Sequence, residues 1–74
     1  MTTIQEDFDW IISRAMQYIE MGNAAGAFAS FSSDLNNFPE IKKRVPDMVL
    51  TIGMFETLNG PDAVKRWLEG FPRP

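Results

Sequence analysis

The 74-residue chain contains no cysteine and no histidine. Without cysteine, neither a disulfide nor a thiolate metal site can supplement a core that is small at this length. Without histidine, the chain lacks the commonest general base and a usual ligand of transition metals. The serines at 30, 32 and 33 have no histidine to activate them as nucleophiles. These absences predict a protein that is not an enzyme and that binds no cofactor.

Basic residues are also scarce. Seven lysines and arginines stand against ten acids, which gives a net charge of −3. Domains that bind nucleic acid usually carry an excess of positive charge, so nucleic acid is not an expected partner. No apolar run approaches the roughly 18 residues of a transmembrane helix. Three acids precede the first base, which is unlike a secretory signal peptide, and we therefore expect a cytoplasmic protein with no membrane contact.

What the chain does contain is apolar: 45% of its residues are hydrophobic and 12% are aromatic. This composition is typical of a folded protein and too apolar for a disordered one. The length allows one domain, covering residues 1–74. A core of this size is marginal, and either dense helix packing or a second copy of the chain must stabilise it.

The first apolar residues recur at helical spacing, which predicts a helix from about residue 3 to residue 21. They are Ile4, Phe8, Ile11, Ile12, Ala15 and Ile19. Thr2 or Thr3 can cap this helix, and Thr3 with Glu6 has the spacing of a capping box. Gly22 is placed to end it, because a glycine tolerates the positive φ of that position.

Residues 22–35, GNAAGAFASFSSDL, resemble a flexible linker in composition but carry two helical periodicities. Bulky residues form one stripe (Phe28, Phe31, Leu35) and small residues form another (Gly26, Ala29, Ser30, Ser33). We therefore predict a helix from about residue 24 to residue 36, with Asn23 as its N-cap. Its small face would let a neighbouring helix approach closely. The alternative is a small face that is simply exposed to solvent.

Prolines and glycines divide the rest of the chain. They predict a short helical turn at 39–44, a third helix at 47–58 and a last helix that begins at Pro61 and ends at Gly70. Pro72 and Pro74 predict a frayed tail. The expected fold is all-α: a small bundle of three to four helices that starts with an antiparallel αα-hairpin.

The third helix is apolar almost all round, with Asp47, Thr51, Glu56 and Thr57 as its polar residues. Such a helix should be buried on most sides, and a chain this short has little interior. One interpretation is a surface for a homodimer or another partner, with Leu50, Met54 and Leu58 as contacts. The other is a central helix surrounded by the remaining three.

Other candidate contacts lie outside that helix. Trp10 falls off the apolar stripe of the first helix and Phe38 lies in a loop, and both residue types are common at interfaces. Either ring could instead close a gap in a small core. Lys42, Lys43 and Arg44 form a basic cluster that could contact phosphate or an acidic partner, although short runs of this kind are more often solvated loops.

Two carboxylate pairs are the remaining candidates for chemistry: Asp7 with Asp9, and Asp34 with Glu40. Paired carboxylates can hold Mg²⁺ or Ca²⁺ or transfer protons. Asp7 and Asp9 are two residues apart and do not face each other on a helix. Solvated acids at a helix start are the better interpretation of that pair, and no metal site is predicted.

Residues 11–39 resemble a single helix pair of the tetratricopeptide family. The matching positions are two small residues, two aromatics, a turn glycine and a closing proline (Ala15, Ala27, Tyr18, Phe31, Gly22, Pro39). Asp34 departs from the family, which prefers alanine there, and no second repeat follows. The resemblance implies a tight antiparallel hairpin, not a peptide-binding array.

The stretch GNAAGAFASFSSDLNNFPE, together with the later WLEGF, also resembles small helical proteins encoded by actinobacterial viruses and their hosts. This resemblance implies a phage accessory protein and nothing about chemistry.

Three functions follow as expectations. The first is a protein–protein interaction module, acting as a homodimer and binding a host protein. The second is a DNA-binding regulator that uses the cluster Lys42–Arg44 with Lys65 and Arg66. The third is a small enzyme that uses carboxylates and a divalent metal; the missing catalytic residue types weigh against it.

Overall fold

A computed structural model describes residues 3–71 and contains helices but no strand within that range. The elements are α1 (Ile4–Glu20), α2 (Ala24–Leu35), α3 (Pro39–Lys42), α4 (Asp47–Glu56), a 3₁₀ turn (Thr57–Asn59) and α5 (Pro61–Glu69). The predicted all-α class is confirmed. The predicted cap at Thr2 and the predicted tail at Pro72 and Pro74 lie outside the described residues. None of the helices in residues 3–71 is long and apolar enough to span a bilayer.

The ends of α1 and α2 follow the local signals in the sequence. At the start of α1, the backbone N–H of Glu6 donates to Thr3 Oγ1 at 3.1 Å, and the Thr3 N–H donates to Glu6 Oε1 at 3.3 Å. Gly22 takes a φ of 73° after α1, and Asn23 Oδ1 then accepts a hydrogen bond that caps α2. These contacts satisfy backbone groups that a helix end leaves unpaired. The predicted capping box and turn are therefore confirmed.

Helices α3 and α5 begin at prolines, as predicted, because Pro39 and Pro61 are their first residues. The predicted third helix extends to Leu58, whereas the α-helix ends at Glu56 and its last turn tightens into the 3₁₀ turn. Such tightening is common where the final carbonyls lack α-helical partners. Gly60, with a φ of 100°, then redirects the chain into α5.

The core lies between α1, α2 and α5. Phe8, early in α1, contacts Phe31, late in α2, with ring centroids 6.4 Å apart. Tyr18, late in α1, lies against Gly26, early in α2, so the two helices run antiparallel. The buried cluster comprises Phe8, Ile11, Ile12, Ala15, Ala24, Ala27, Phe31, Leu35, Ile41, Val45, Val64 and Leu68. Complete burial of Ala15 and Ala27 is consistent with a tight crossing of the hairpin.

The predicted small face of α2 is correct for two of its four residues. Gly26 lies against Tyr18 and Ser30 is buried, whereas Ala29 and Ser33 are exposed. The prediction also missed Ala27 and Ala24, which are buried because they lie four and seven positions before Phe31, on the same side of the helix. The close approach that the sequence predicts is therefore present, on a face shifted toward Phe31.

Helix α4 lies on the outside of the bundle, so a central helix surrounded by the others is not what forms. Gly53 is its one buried residue, whereas Val49 and Leu50 are half-buried against the core. The indole of Trp67 covers Gly53 so closely that a Cβ there would lie 2.6 Å from Trp67 Cη2. The closest contact between α4 and α5 is therefore between the backbone of α4 at Gly53 and the Trp67 side chain of α5.

Substitution of Gly53 by alanine tests this contact. The Trp67 ring cannot move away freely, because the rings of Phe31 and Phe71 lie 5.2 and 4.9 Å from it. We expect overpacking to outweigh the better helix propensity of alanine and to lower the free energy of unfolding by about 1–2 kcal/mol, measured in urea. Gly70→Ala is the matched control, because a Cβ there meets ordinary contacts of 3.4 Å or more. Equal free energies of unfolding for the two variants would contradict the close contact between Gly53 and Trp67.

Candidate functional site

The most unusual surface of the described residues is formed by α4 and the 3₁₀ turn that follows it. We call it the outer face of α4 and define it as Met48, Ile52, Met54, Phe55 and Leu58. Seven large hydrophobic side chains are exposed among residues 3–71, and these are five of them. The exposure reaches 75% at Met48 and 82% at Leu58. Single exposed apolar residues are ordinary, but a contiguous group marks a binding surface or an aggregation hazard.

Helical geometry explains why these side chains share one side. At about 100° per residue, Met48, Ile52 and Phe55 project within one narrow arc, and Met54 and Leu58 extend that arc on one side. Thr51 lies between them, and its hydroxyl donates to the Asp47 carbonyl oxygen at 3.0 Å. The Thr51 hydroxyl is thus turned toward the backbone of its own helix. Asp47, the first residue of α4, lies on the same side, so the charge on this side is confined to its N-terminal end. From Met48 onward the outer face offers a partner apolar contact and no charge.

The residues predicted as partner contacts in this helix divide into two groups. Met54 is 55% exposed and belongs to the outer face together with Leu58. Leu50 is half-buried and packs against the core, which makes it the least accessible of the three. The sequence prediction omitted Met48, Ile52 and Phe55 as contacts. The burial of Gly53 is the signal that separates the two sides of α4.

Trp10 and Phe38, predicted separately as contacts, lie together. Their ring centroids are 5.9 Å apart, in an edge-to-face arrangement. The guanidinium of Arg14 lies over the Trp10 ring at 4.9 Å, and Arg14 Nε donates to Asp34 Oδ2 at 2.8 Å. Trp10 is 48% exposed and Phe38 packs against the core, so this cluster joins α1 to the α2–α3 loop as well as presenting a surface. The ion pair with Arg14 also gives a reason for an aspartate at position 34, where the tetratricopeptide family prefers alanine.

The carboxylate pair Asp34 and Glu40 does not act as a unit. Asp34 is buried and pairs with Arg14, whereas Glu40 is exposed and its Oε1 lies 3.3 Å from Lys43 Nζ. In the part of the chain that the structure describes, no three acidic side chains are grouped closely enough to hold a metal ion.

The basic cluster Lys42–Arg44 is likewise divided among different contacts. Lys42 Nζ donates to Asn36 Oδ1 at 2.7 Å, and Lys43 forms its ion pair with Glu40. Arg44 lines a groove beside α5 that neither lysine lines. Two of the three basic side chains thus have polar partners within the molecule, and the predicted contact with phosphate or an acidic partner stays a prediction.

That groove lies between α4 and α5 and has a volume of about 470 Å³. Its lining residues include four large apolar side chains, which we call its floor (Val49, Ile52, Trp67, Phe71), and two arginines, Arg44 and Arg66. Sequence reasoning had named Arg44 and Arg66 as members of a basic set but did not predict the groove. The two arginines are 22 positions apart, and no local pattern shows that they meet.

Comparison of this chain with known protein families, with curated proteins and with solved structures finds no match. The resemblances to a tetratricopeptide helix pair and to actinobacterial viral proteins stay predictions. The function must therefore be argued from the surfaces described above.

The Arg14–Asp34 contact gives a testable expectation. Arg14→Ala leaves the buried Asp34 carboxylate without its cation, and we expect the free energy of unfolding to fall by about 1–2 kcal/mol. Adding Asp34→Ala removes the unpaired charge, so the double variant should be more stable than Arg14→Ala alone. These free energies are measured by urea unfolding of the wild type, both single variants and the double variant, which together form a double-mutant cycle. A double variant less stable than Arg14→Ala would contradict this account.

Proposed function

We propose that this protein is a protein–protein interaction module whose outer face of α4 packs against another chain, in the first place a second copy of itself. The observation that carries the proposal is the grouping of five exposed large hydrophobic side chains within residues 48–58. Exposed apolar groups of this kind are typical of interaction sites. No charged side chain interrupts the helix from Met48 to Phe55.

The expected gain from apolar burial is comparable to the cost of association. Full burial of one large apolar side chain is worth about 1.5–3 kcal/mol. The exposed parts of five such side chains on each of two chains therefore supply on the order of 10 kcal/mol. The loss of translational and rotational freedom on association costs roughly 4–15 kcal/mol, so we expect a concentration-dependent dimer rather than a permanent one.

A second copy is a suitable occupant because the face is uncharged. In a two-fold symmetric dimer each residue meets the same surface of its partner, so any charge in the centre would face a like charge. The outer face has none, and two such faces can meet without that penalty. Methionines at positions 48 and 54 add flexible side chains that adapt to irregular contacts.

The wider context of the proposal comes from the sequence. On the resemblance to proteins of actinobacterial viruses, we propose that the chain is a phage accessory protein. We also propose a host protein as its second partner. We propose the cytoplasm as the site of action, in line with the expectation from the sequence. We assign the Trp10–Phe38 pair to that second partner, because about half of the Trp10 side chain is exposed.

Self-association is tested by the solution mass. Light scattering after size exclusion, over a dilution series, should give twice the 8.4 kDa mass of one chain at high concentration. The double variant Met54→Lys with Leu58→Lys should weaken the dimer at least ~100-fold, because it places two charges in each half of the contact.

Met21→Lys is the matched control for Met54→Lys. Both methionines are exposed and both lie near a helix C-terminus, where a lysine is well tolerated, but Met21 lies outside α4. It should leave the dimer unchanged. A monomeric wild type at every concentration, or a dimer that survives Met54→Lys with Leu58→Lys, would refute self-association through α4. Circular dichroism would establish that each variant is folded.

DNA binding remains the second proposal because one observation favours it: Arg44 and Arg66, from two different basic segments, line the same groove. The apolar floor of that groove and the net charge of −3 weigh against a phosphate backbone as its occupant. We expect no retardation of a mixed-sequence 30-base-pair duplex in a gel-shift assay at low salt. Retardation that Arg44→Glu and Arg66→Glu abolish would instead establish DNA binding.

A further inference from the structure

The groove between α4 and α5 combines an apolar floor with two arginines. The floor consists of Val49, Ile52, Trp67 and Phe71, and Arg44 and Arg66 also line the groove. This surface is different from the outer face of α4, although Ile52 belongs to both.

The two arginines are available to a ligand. Within residues 3–71 neither Arg44 nor Arg66 forms an ion pair, although the chain has ten acids for seven bases. Arg14 and Lys43 do find acidic partners in the same molecule. Within the described residues no carboxylate is paired with either guanidinium, and an anionic group on a ligand would be their complement.

The chemistry of the lining residues indicates which kind of anion would bind in the groove. A guanidinium is planar and binds a carboxylate through two parallel hydrogen bonds, and it is more weakly hydrated than a lysine ammonium. An apolar floor of two aliphatic and two aromatic side chains requires an apolar group on the same ligand. The occupant must therefore carry at least one large apolar group and carboxylates close to it.

The shape of the groove favours a peptide. Its volume of about 470 Å³ accommodates one or two large side chains, and it is open to solvent rather than enclosed. Sites for small molecules usually bury most of the ligand surface. An open groove instead suits a segment of another protein, which inserts an anchor side chain and leaves its own outer side in water.

We infer that the groove between α4 and α5 binds an acidic segment of another protein, with an apolar anchor side chain on the floor and carboxylates at Arg44 and Arg66. This inference rests on the proposal that the protein is an interaction module, but it uses a different surface from the one assigned to self-association. It specifies the chemistry of a ligand for the groove, which is also a different surface from the Trp10–Phe38 pair.

The test uses three synthetic peptides and the ¹⁵N-labelled full chain. The acidic probe is acetyl-Glu-Glu-Leu-Phe-Glu-Glu-amide. One control replaces every glutamate by lysine, and the other replaces Leu-Phe by Ser-Ser. With the acidic probe we expect shifts at the Trp67 indole N–H and at the amides of Val49 and Ile52, and weaker binding at high salt. Trp10→Phe identifies which indole signal belongs to Trp67.

Matched charge reversals locate the site. Arg44→Glu with Arg66→Glu should weaken binding of the acidic probe by at least about tenfold. Lys42→Glu with Lys65→Glu makes the same change of net charge at neighbouring positions that do not line the groove, and should weaken it less than about threefold. Thermal melting of both double variants would establish that they fold.

Three results would overturn the inference: no shift at the Trp67 indole with the acidic probe, equal shifts with the lysine or serine control, or equal weakening by the two double variants. Light scattering on the same samples separates this failure from failure of the proposed function. A dimer that persists without peptide binding would refute the groove site alone, and peptide binding by a monomer would refute self-association alone.

Discussion

The contact between the Trp67 indole and the backbone at Gly53 determines how the second half of this protein is arranged. The Trp67 ring is held between Phe28, Phe31 and Phe71, so its position is set by the main core and not by α4. Helix α4 can approach that ring closely only where it has no side chain, which is at Gly53. Once the glycine faces inward, helical geometry places the residues on the opposite side of α4 in solvent.

The exposure of those residues follows from a limit of size. In a chain of 74 residues, one layer of side chains from α1, α2 and α5 fills the interior, with Ile41 and Val45 closing one side. The exposed side of α5 is typical of a helix at a protein surface, because it consists of charged residues (Asp62, Lys65, Arg66, Glu69). Helix α4 is more exposed than α5 yet carries no charge from Met48 to Phe55. Solubility alone would favour charged residues there, which is why the apolar pattern argues for a partner.

The parts of the fold that were predictable from the sequence are those set by local chemistry. Thr3, Gly22 and Pro61 define helix ends through contacts with their immediate neighbours, and the structure places those ends where the sequence indicates. The side of α4 that faces the core was not predictable, because it depends on Trp67, fourteen positions later in the chain. The Arg14–Asp34 pair and the groove with Arg44 and Arg66 are non-local for the same reason. Periodicity identifies an apolar helix but does not say which of its sides another helix will cover.

Ile52 connects the two proposed surfaces, because its side chain belongs to the outer face of α4 and also lines the groove. A second copy packed on the outer face would therefore border any segment bound in the groove. If that contact is favourable, each partner strengthens the binding of the other, and if the two compete for Ile52, each weakens it. Linkage requires the effect to be equal in both directions. The exposed helix and the charged groove are thus two adjoining parts of one surface, which is organised around the glycine that lets α4 lie against Trp67.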